Sequence, residues 1–272
     1  MFDIAIITVN YKMKDRIRAC LRTLTSDIRD SGLTVKVVVV DNASGDGIAA
    51  ALSAEYPDVL CIENAENVGF GKANNAGMRA VEARYYFILN PDTLFIEPHT
   101  MRRMFDFMER EKSIGMIGPR LRYEDGKLQD SCFRFPRMMD KVVRQLGIDS
   151  WWLPARRRVD YFLMRDFDHA STRPVDWILG SAMFVRAEAL KVVGGFDERF
   201  FMYFEDCDWS RRFWTAHWPV YYVPAITLVH IYSRATAKSR NVFRSLLMSK
   251  LARIHLQSWW RYYRKWGTSS NL

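Results

Sequence analysis

Residues 2–11, FDIAIITVNY, form an apolar run that turns polar only toward its end, at Thr8, Asn10 and Tyr11. A run of this kind, with little alternation, is the pattern of a strand buried on both faces, as parallel strands are. Working outward, residues 14–25 carry Ile17, Cys20, Leu21 and Leu24 at helical spacing. Residues 35–41, VKVVVVD, repeat the strand pattern and end on Asp41, Asn42, Ala43 and Ser44. Residues 48–55 suit a second helix, and 59–62 a third, short strand. This alternation predicts an α/β fold with a mostly parallel sheet and helices on both faces. Ligands of such sheets bind beyond the carboxyl ends of the strands, where Thr8, Asn10 and Asp41 fall.

The chain has 272 residues, 49% of them hydrophobic, enough for a full core in one large domain or two small ones. No apolar run reaches eighteen residues, so no membrane-spanning helix is expected. The first residues lead straight into a strand pattern rather than a signal peptide. Cys20, Cys61, Cys132 and Cys207 lack CxxC spacing and read as reduced thiols of a cytosolic protein. Charge is uneven: all 31 acids and 29 of the 40 basic residues precede position 209, so the end of the chain carries the whole +9 excess. That asymmetry points to an anionic surface as a partner. Nucleic acid is not expected, because acids at the sheet edge would repel phosphates that lack a metal.

Residues 67–77, NVGFGKANNAG, place two glycines ahead of a helix, with Lys72 nearby. They suit either backbone approach to phosphates or a plain loop-to-helix turn. The dinucleotide fingerprint fails because Asn74 stands where a third glycine is required. The strand at 85–89 ends in Asn90-Pro91-Asp92, presenting Asp92 on the same edge as Asp41 as a candidate ligand for a hard cation. Met101, Met104, Phe105 and Met108 stripe a helix over 98–111 and read as core. A short strand is expected at 114–117, then a hairpin over 120–135 with a type I′ turn at Glu124-Asp125-Gly126. Periodicity fades over 137–173, where Trp151 and Trp152 precede Arg156, Arg157 and Arg158. This stretch reads as a flexible basic insert facing an acceptor or a membrane. Residues 175–185 read as one strand that brings Gly180 and Ser181 close to a ligand.

The densest chemistry lies in residues 194–212, GGFDERFFMYFEDCDWSRR. Five carboxylates (Asp197, Glu198, Glu205, Asp206, Asp208) stand there among six aromatics. A helix starts near Glu205, since acids fill its first turn and arginines follow. A carboxylate partly desolvated by such neighbours is a candidate general base. The pattern does not separate Glu205, Asp206 and Asp208. A strand is expected at 219–223, and His230 follows, either as a structural histidine or, with Ser233 and Arg234, as part of a diphosphate site. Residues 241–266 read as a helix with a stripe of Phe243, Leu246, Leu247, Leu251 and Ile254 closed by Trp259, Trp260, Tyr262, Tyr263 and Trp266. Basic faces ending in Trp and Tyr suit an interfacial membrane helix, or one docked on its own domain.

In this order, ITVNY, VVDNASGD, NVGFGKANNAG, NPD, WILGSA and GGFDERFFMYFEDCDWSRR resemble the inverting family 2 glycosyltransferases. The chain is similar above all to bacterial rhamnosyltransferase-like members that build O-antigen and other cell-surface polysaccharides. The resemblance covers about residues 2–235. It implies a Rossmann-like GT-A fold, with a nucleotide-binding half at 1–118, an acceptor-binding half at 119–235 and a basic aromatic tail at 236–272. It also implies that Thr8, Asn10, Asp41, Asn67, Lys72 and Asn90 line a nucleotide-sugar donor. Asp92, the last member of a DxD-like motif, and His230 would hold Mn²⁺ or Mg²⁺. Asp206 would be the catalytic base, and Trp177, Gly180 and Glu205 would shape the acceptor pocket. Asn90 replaces the first Asp of DxD, and an amide cannot neutralise a cation as a carboxylate does. That replacement is common in the rhamnosyltransferase-like members and favours a dTDP-L-rhamnose donor.

The implied reaction is a single displacement at the sugar, with Asp206 taking the proton of an acceptor hydroxyl. The acceptor expected from the resemblance is a polyprenyl-diphosphate-linked saccharide, with the protein peripheral on the cytoplasmic face of the inner membrane. Transfer of another sugar from a UDP- or GDP-donor, and a non-catalytic nucleotide-sugar-binding subunit, remain as alternatives.

Overall fold

The computed structural model describes residues 1–145, 147–231 and 250–268. The alternation begins as expected, with β1 (Phe2–Asn10), α1 (Lys14–Ile28), β2 (Val35–Asp41), α2 (Ile48–Glu55), β3 (Leu60–Glu63), α3 (Phe70–Ala80) and β4 (Ala83–Leu89). Next come β5 (Thr93–Phe95), α4 (Thr100–Arg110), β6 (Met116–Arg122), β7 (Cys132–Phe133), α5 (Asp140–Gln145) and α6 (Leu153–Phe162). The described elements end with β8 (Arg173–Pro174), β9 (Trp177–Ile178), β10 (Ala182–Arg186), α7 (Ala187–Val193), α8 (Glu205–Thr215), β11 (Val220–His230) and α9 (Lys250–Trp266).

The main sheet runs β3-β2-β1-β4-β10-β6-β11-β5, with β8 also paired to β11. Strands β3, β2, β1 and β4 are mutually parallel, β10 runs against both of its neighbours, and β6 and β11 are parallel again. The chain leaves β1 toward β2 on one side and returns to β4 on the other. A crevice opens beyond the strand ends at such a switch point, here beyond Thr8–Asn10 and Leu89–Asp92.

Side-chain alternation along the strands makes two cores. Ile4, Ile6, Val37, Val39 and Phe87 pack against α1, α2 and the methionine stripe of α4. Ala5, Ile7, Val38, Val40 and Ile88 face the opposite layer with Ala73 of α3, Ala189 of α7 and Trp209 of α8. Each fully buried side chain of this size contributes about 1.5–3 kcal/mol of transfer free energy, so the sheet is held from both faces.

The segment 137–173, expected to be flexible, instead carries α5 and α6. Ala155, Val159 and Phe162 are spaced for one helical face and join Phe133, Phe135 and Trp177 in a third core. The element is too short for its period to stand out against the flanking tryptophans and arginines. The turn at 123–126 is not type I′. Gly126 N–H bonds to Tyr123 O at 2.9 Å with Gly126 at φ +79°, while Glu124 and Asp125 stay out of the left-handed region. That is a type I turn followed by a left-handed glycine. The returning arm leaves β6 after an isolated bridge, and β7 pairs with β9 instead. The strand expected over 175–185 is broken into β9 and β10 at Leu179–Ser181, for a reason that belongs to the site.

Helix α9 docks on the domain. Tyr262 and Tyr263 are buried in the third core, and Ser258 donates to Met202 O at 2.8 Å. The aromatic face that the sequence offers to a membrane is thus largely used for intramolecular packing. Arg253, Leu256, Trp260, Arg261 and Arg264 remain exposed. The rest of the expected stripe, Phe243 to Leu247, lies outside the described residues, as do Ser233 and Arg234.

Lys265 closes the docking by bridging Asp197 at 2.9 Å and Asp208 at 2.7 Å. Hydrogen bonds from Arg199 hold the Asp197 carboxyl well below the usual carboxylate range, against the effect of its burial, and Lys265 adds to the lowering. A depressed folded-state value stabilises fully above the unfolded value of about 4 and is lost as pH falls below it. The urea midpoint should therefore fall more steeply on acidification below about pH 4 in the native chain than in Asp197→Asn, which lacks this contribution at every pH.

Candidate active site

At the end of β1, Asn10 is fully buried and lies opposite Asp41 in the β1–β2 register. Its amide donates to Asp41 at 2.8 Å, Ser44 at 3.0 Å and Asp46 at 3.1 Å, and its carbonyl accepts Met13 N–H. Asn10 therefore ties together the two loops that follow β1 and β2. Asp46, the last residue of the VVDNASGD motif, also accepts the backbone N–H groups of Lys14 and Ile48. Both loops contain a non-glycine residue in the left-handed region, Lys12 at φ 58° and Ala43 at φ 56°. Such strain persists only where the surroundings over-determine it. A depression of about 750 Å³ lies over these loops. Thr8, on the same strand end, has a buried hydroxyl with no hydrogen-bond partner among the described residues.

Asn42 is a second organiser that the sequence reading missed. It bonds Asn67 at 3.1 Å, Gly69 O at 3.2 Å and Asn64 at 2.9 Å, which makes Asn67 part of a turn. The glycines after Asn67 serve packing more than phosphate approach. Gly69 sits at φ +89°, and a Cβ there would lie 2.3 Å from Phe201 O, which also accepts Phe70 N–H. Lys72 stands exposed on the first turn of α3, where its charge acts on Glu198.

The tight turn at Asn90-Pro91-Asp92 is followed by β5, whose antiparallel pairing sets Thr93 opposite His230. That register brings together two residues 138 positions apart in the chain: His230 Nε2 lies 3.2 Å from Asp92 Oδ1. The other ring nitrogen, Nδ1, lies 3.0 Å from Gln129 Oε1. Gln129 and Asp92 thus hold the two ring nitrogens of His230 from opposite sides and fix the orientation of the ring. Asp92 and His230, with Gln129 orienting the histidine, could supply two ligands to a cation. Among the described residues no group of three or more His, Cys, Asp or Glu could hold a metal. The pair fits a cation that takes its remaining ligands from a substrate phosphate and water, as Mg²⁺ and Mn²⁺ commonly do.

The acidic stretch resolves its own ambiguity. Asp197 and Glu198 are paired with Arg199 and Arg79. Asp208 is completely buried, with Arg212 at 3.0 Å, Lys265 at 2.7 Å and the Trp266 indole N–H at 2.8 Å. Asp206 is held differently: backbone N–H groups of Gly180 and Cys207 donate to its two oxygens at 3.0 and 2.8 Å. Ser181, the next residue after Gly180, accepts Asn90 N–H at 2.9 Å. This is why the strand breaks at 179–181, since one short segment ties Asp206 to the turn that carries Asp92. Tyr203 and Phe204, just before Glu205, both have positive φ, at 71° and 68°. Bulky residues take that region only under constraint. Here α9 supplies it, with His255 against both rings and Tyr262 against Phe204. Glu205 is buried at the start of α8. Trp177, expected in an acceptor pocket, is 4% exposed, stacks on Phe133 and donates to Arg134 O. It anchors β9 from behind.

A family model for "Glycosyl transferase family 2" matches residues 3–168, and one for "Glycosyl transferase family group 2" matches 140–269. The chain belongs to glycosyl transferase family 2. It is 29% identical over 88% of its length to the N-acetylglucosaminyl-diphospho-decaprenol L-rhamnosyltransferase of Mycobacterium tuberculosis, covering 81% of that protein. It is 28% identical over 98% of its length to the rhamnosyltransferase WbbL of Escherichia coli K12, covering 94% of that protein. Among solved structures, the mannosyltransferase PcManGT of Pyrobaculum calidifontis, in complex with GDP-Man and Mn²⁺, superposes with TM-score 0.58 at 17% identity over 86% of this chain. TarS 1-349 of S. aureus, in complex with UDP-GlcNAc, superposes with TM-score 0.57 at 13% identity over 85% of this chain. The chain spans 58% and 59% of those two chains. The fold is that of the GT-A glycosyltransferases, and the protein is a glycosyltransferase.

In this glycosyltransferase Asp208 is a structural ion-pair hub. Removing one partner of a buried pair leaves the others uncompensated, at a cost of about 3–5 kcal/mol. Asp208→Asn should lose roughly that much stability in urea unfolding.

Proposed function

We propose that this glycosyltransferase moves L-rhamnose, with inversion, from dTDP-L-rhamnose to a hydroxyl of a polyprenyl-diphosphate-linked saccharide in cell-surface polysaccharide synthesis. The observation that carries the reading is the Gly180–Ser181 link, bonded to Asp206 on one side and to the turn before Asp92 on the other. The donor is supported by the names of two relatives that align with most of the chain, and by Asn90 in place of the first DxD carboxylate. The acceptor is supported by the decaprenol-diphosphate named for the mycobacterial relative.

Thr8, with its unpartnered hydroxyl, and Asp41, positioned by Asn10, face the nucleoside. Asn67 and Lys72 flank it from the α3 side, and Asn90 lies beside the diphosphate. Asp92 and His230 would hold Mg²⁺ or Mn²⁺, and such an ion would supply positive charge beside the leaving diphosphate. Asp206 takes the proton of the acceptor hydroxyl as that oxygen bonds to the sugar C1 from the face opposite the diphosphate. The bond from C1 to the diphosphate oxygen breaks in the same displacement, so the anomeric centre inverts. The Gly180 and Cys207 amides keep the Asp206 carboxylate oriented, and Glu205 with Gly180 bounds the acceptor. No described helix is long and apolar enough to cross a membrane. The exposed arginines of α9 suit peripheral attachment to the cytoplasmic face of the inner membrane, weakened by salt.

Thermal stabilisation by a panel of nucleotide sugars tests the donor, because a ligand that binds only the folded state raises the melting temperature. The expected result is a shift with dTDP-L-rhamnose that EDTA diminishes and Asp92→Ala removes. A shift with UDP- or GDP-sugars instead would keep the family and sink the rhamnosyl reading. For the base, Asp206→Asn should retain the donor-induced shift while transfer falls roughly 10²–10⁴-fold. Undiminished turnover in that variant would move the base elsewhere.

A further inference from the structure

Behind β9, under α5 and α6, lies a cavity of about 270 Å³ lined by Arg134, Arg137, Arg158, Tyr161, Asp140 and Asp176 among others. Its two acids are already answered. Asp140 pairs with Arg158 and accepts Arg137 N–H at 2.7 Å. Asp176 accepts Phe135 N–H at 2.6 Å; burial pushes its carboxyl up, and the charges of Arg134 and Arg211 oppose that. Arg134 is clamped by Asp166 and lies over the Tyr161 ring at 3.9 Å. Arg137 differs from both other arginines: it is exposed, and no carboxylate pairs with its guanidinium among the described residues.

Two neighbours define what this guanidinium faces. The carbonyls on either side of it, Pro136 and Met138, accept Tyr263 O–H at 3.0 Å and Trp259 N–H at 3.1 Å from α9. Leu256 and Trp260 lie on that same flank of α9, and they are exposed, as are Met138 and Met139. A cationic cavity thus opens beside an apolar rim. In the other direction, Asp176 is four residues from Gly180, whose N–H holds Asp206, and four residues reach at most about 14 Å. That is comparable with the length of one sugar and its diphosphate.

We propose that the cavity at Arg134, Arg137 and Arg158 binds the diphosphate of an isoprenyl-linked acceptor, with the isoprenyl chain leaving over Met138, Met139 and Trp260. Arginine is suited to this task because its planar fork pairs with two phosphate oxygens at once. The proposal rests on the reading above that the acceptor is lipid-linked, and it names the place where that acceptor's anionic head is held.

The test is calorimetric binding of farnesyl diphosphate to the full chain in EDTA, with no donor present. Native protein is expected to bind it at least tenfold more tightly than farnesol. Arg137→Glu should weaken binding at least tenfold, Arg137→Lys much less, and Asp92→Ala not at all. As an exposed residue without a side-chain partner, Arg137 can be changed without lowering the melting temperature. Absence of binding, or binding indifferent to Arg137→Glu, overturns the proposal. Loss of binding in Asp92→Ala would assign the ligand to the donor site and overturn it equally. If Arg137→Glu releases the protein from phosphatidylglycerol vesicles as strongly as it weakens farnesyl diphosphate, the cavity reads a general anionic surface, and the diphosphate assignment fails. No donor or metal enters this measurement. Failure of the nucleotide-sugar panel alone would therefore sink the rhamnosyl reading and leave the cavity standing.

Discussion

The peptide groups of Gly180 and Ser181 lie between Asp206 and the turn that carries Asp92. One amide donates to Asp206, and the next carbonyl accepts the amide of Asn90. A continuous strand could not do this, because its amides would be paired along the ladder. The break between β9 and β10 is therefore the constraint on which the relation of Asp206 to the Asp92 turn depends. β10 then carries that constraint into the sheet by running antiparallel between β4 and β6.

Asp206 is also positioned from the far side by a backbone that would not hold its shape alone. Two successive bulky residues in the left-handed region cost on the order of 1–3 kcal/mol each. Packing of His255 and Tyr262 against Tyr203 and Phe204, and the bridge from Lys265 to Asp197 and Asp208, oppose that cost. Helix α9 is in this sense part of the structure that holds the acidic loop. Its inner face stabilises the acidic loop, and only its outer face is left for a surface or a lipid.

Much of this was legible beforehand, because it follows from local period. The strands through Leu89, the helix beginning at Glu205 and the methionine stripe of α4 fall where spacing predicts them. The ordered set of motifs then led to the family. Trp177 packs on Phe133 and donates to Arg134 O, partners that its place three residues before Gly180 does not announce. The insert was misread because α5 and α6 are short, and their packing partners lie on β7, β9 and α9. Asn42 and Asp46 lie inside a quoted motif, but their bonding, like that of Gln129, was not legible, since a polar loop residue acquires partners only from what folds against it.

The sequence by itself determined the sheet class, the strand ends that carry Thr8, Asn10, Asp41 and Asp92, and the family. Each of these is written in local hydrophobic period or in contiguous motifs. Only the tertiary structure decided that Asp208 is bound to Arg212 and Lys265 and that the Gly180 and Cys207 amides meet Asp206. It alone paired His230 with Asp92 and Gln129, and turned the aromatic face of α9 inward. These are contacts between residues tens to hundreds of positions apart, and charge pairing, tautomer and burial depend on distance in space, which no local pattern encodes.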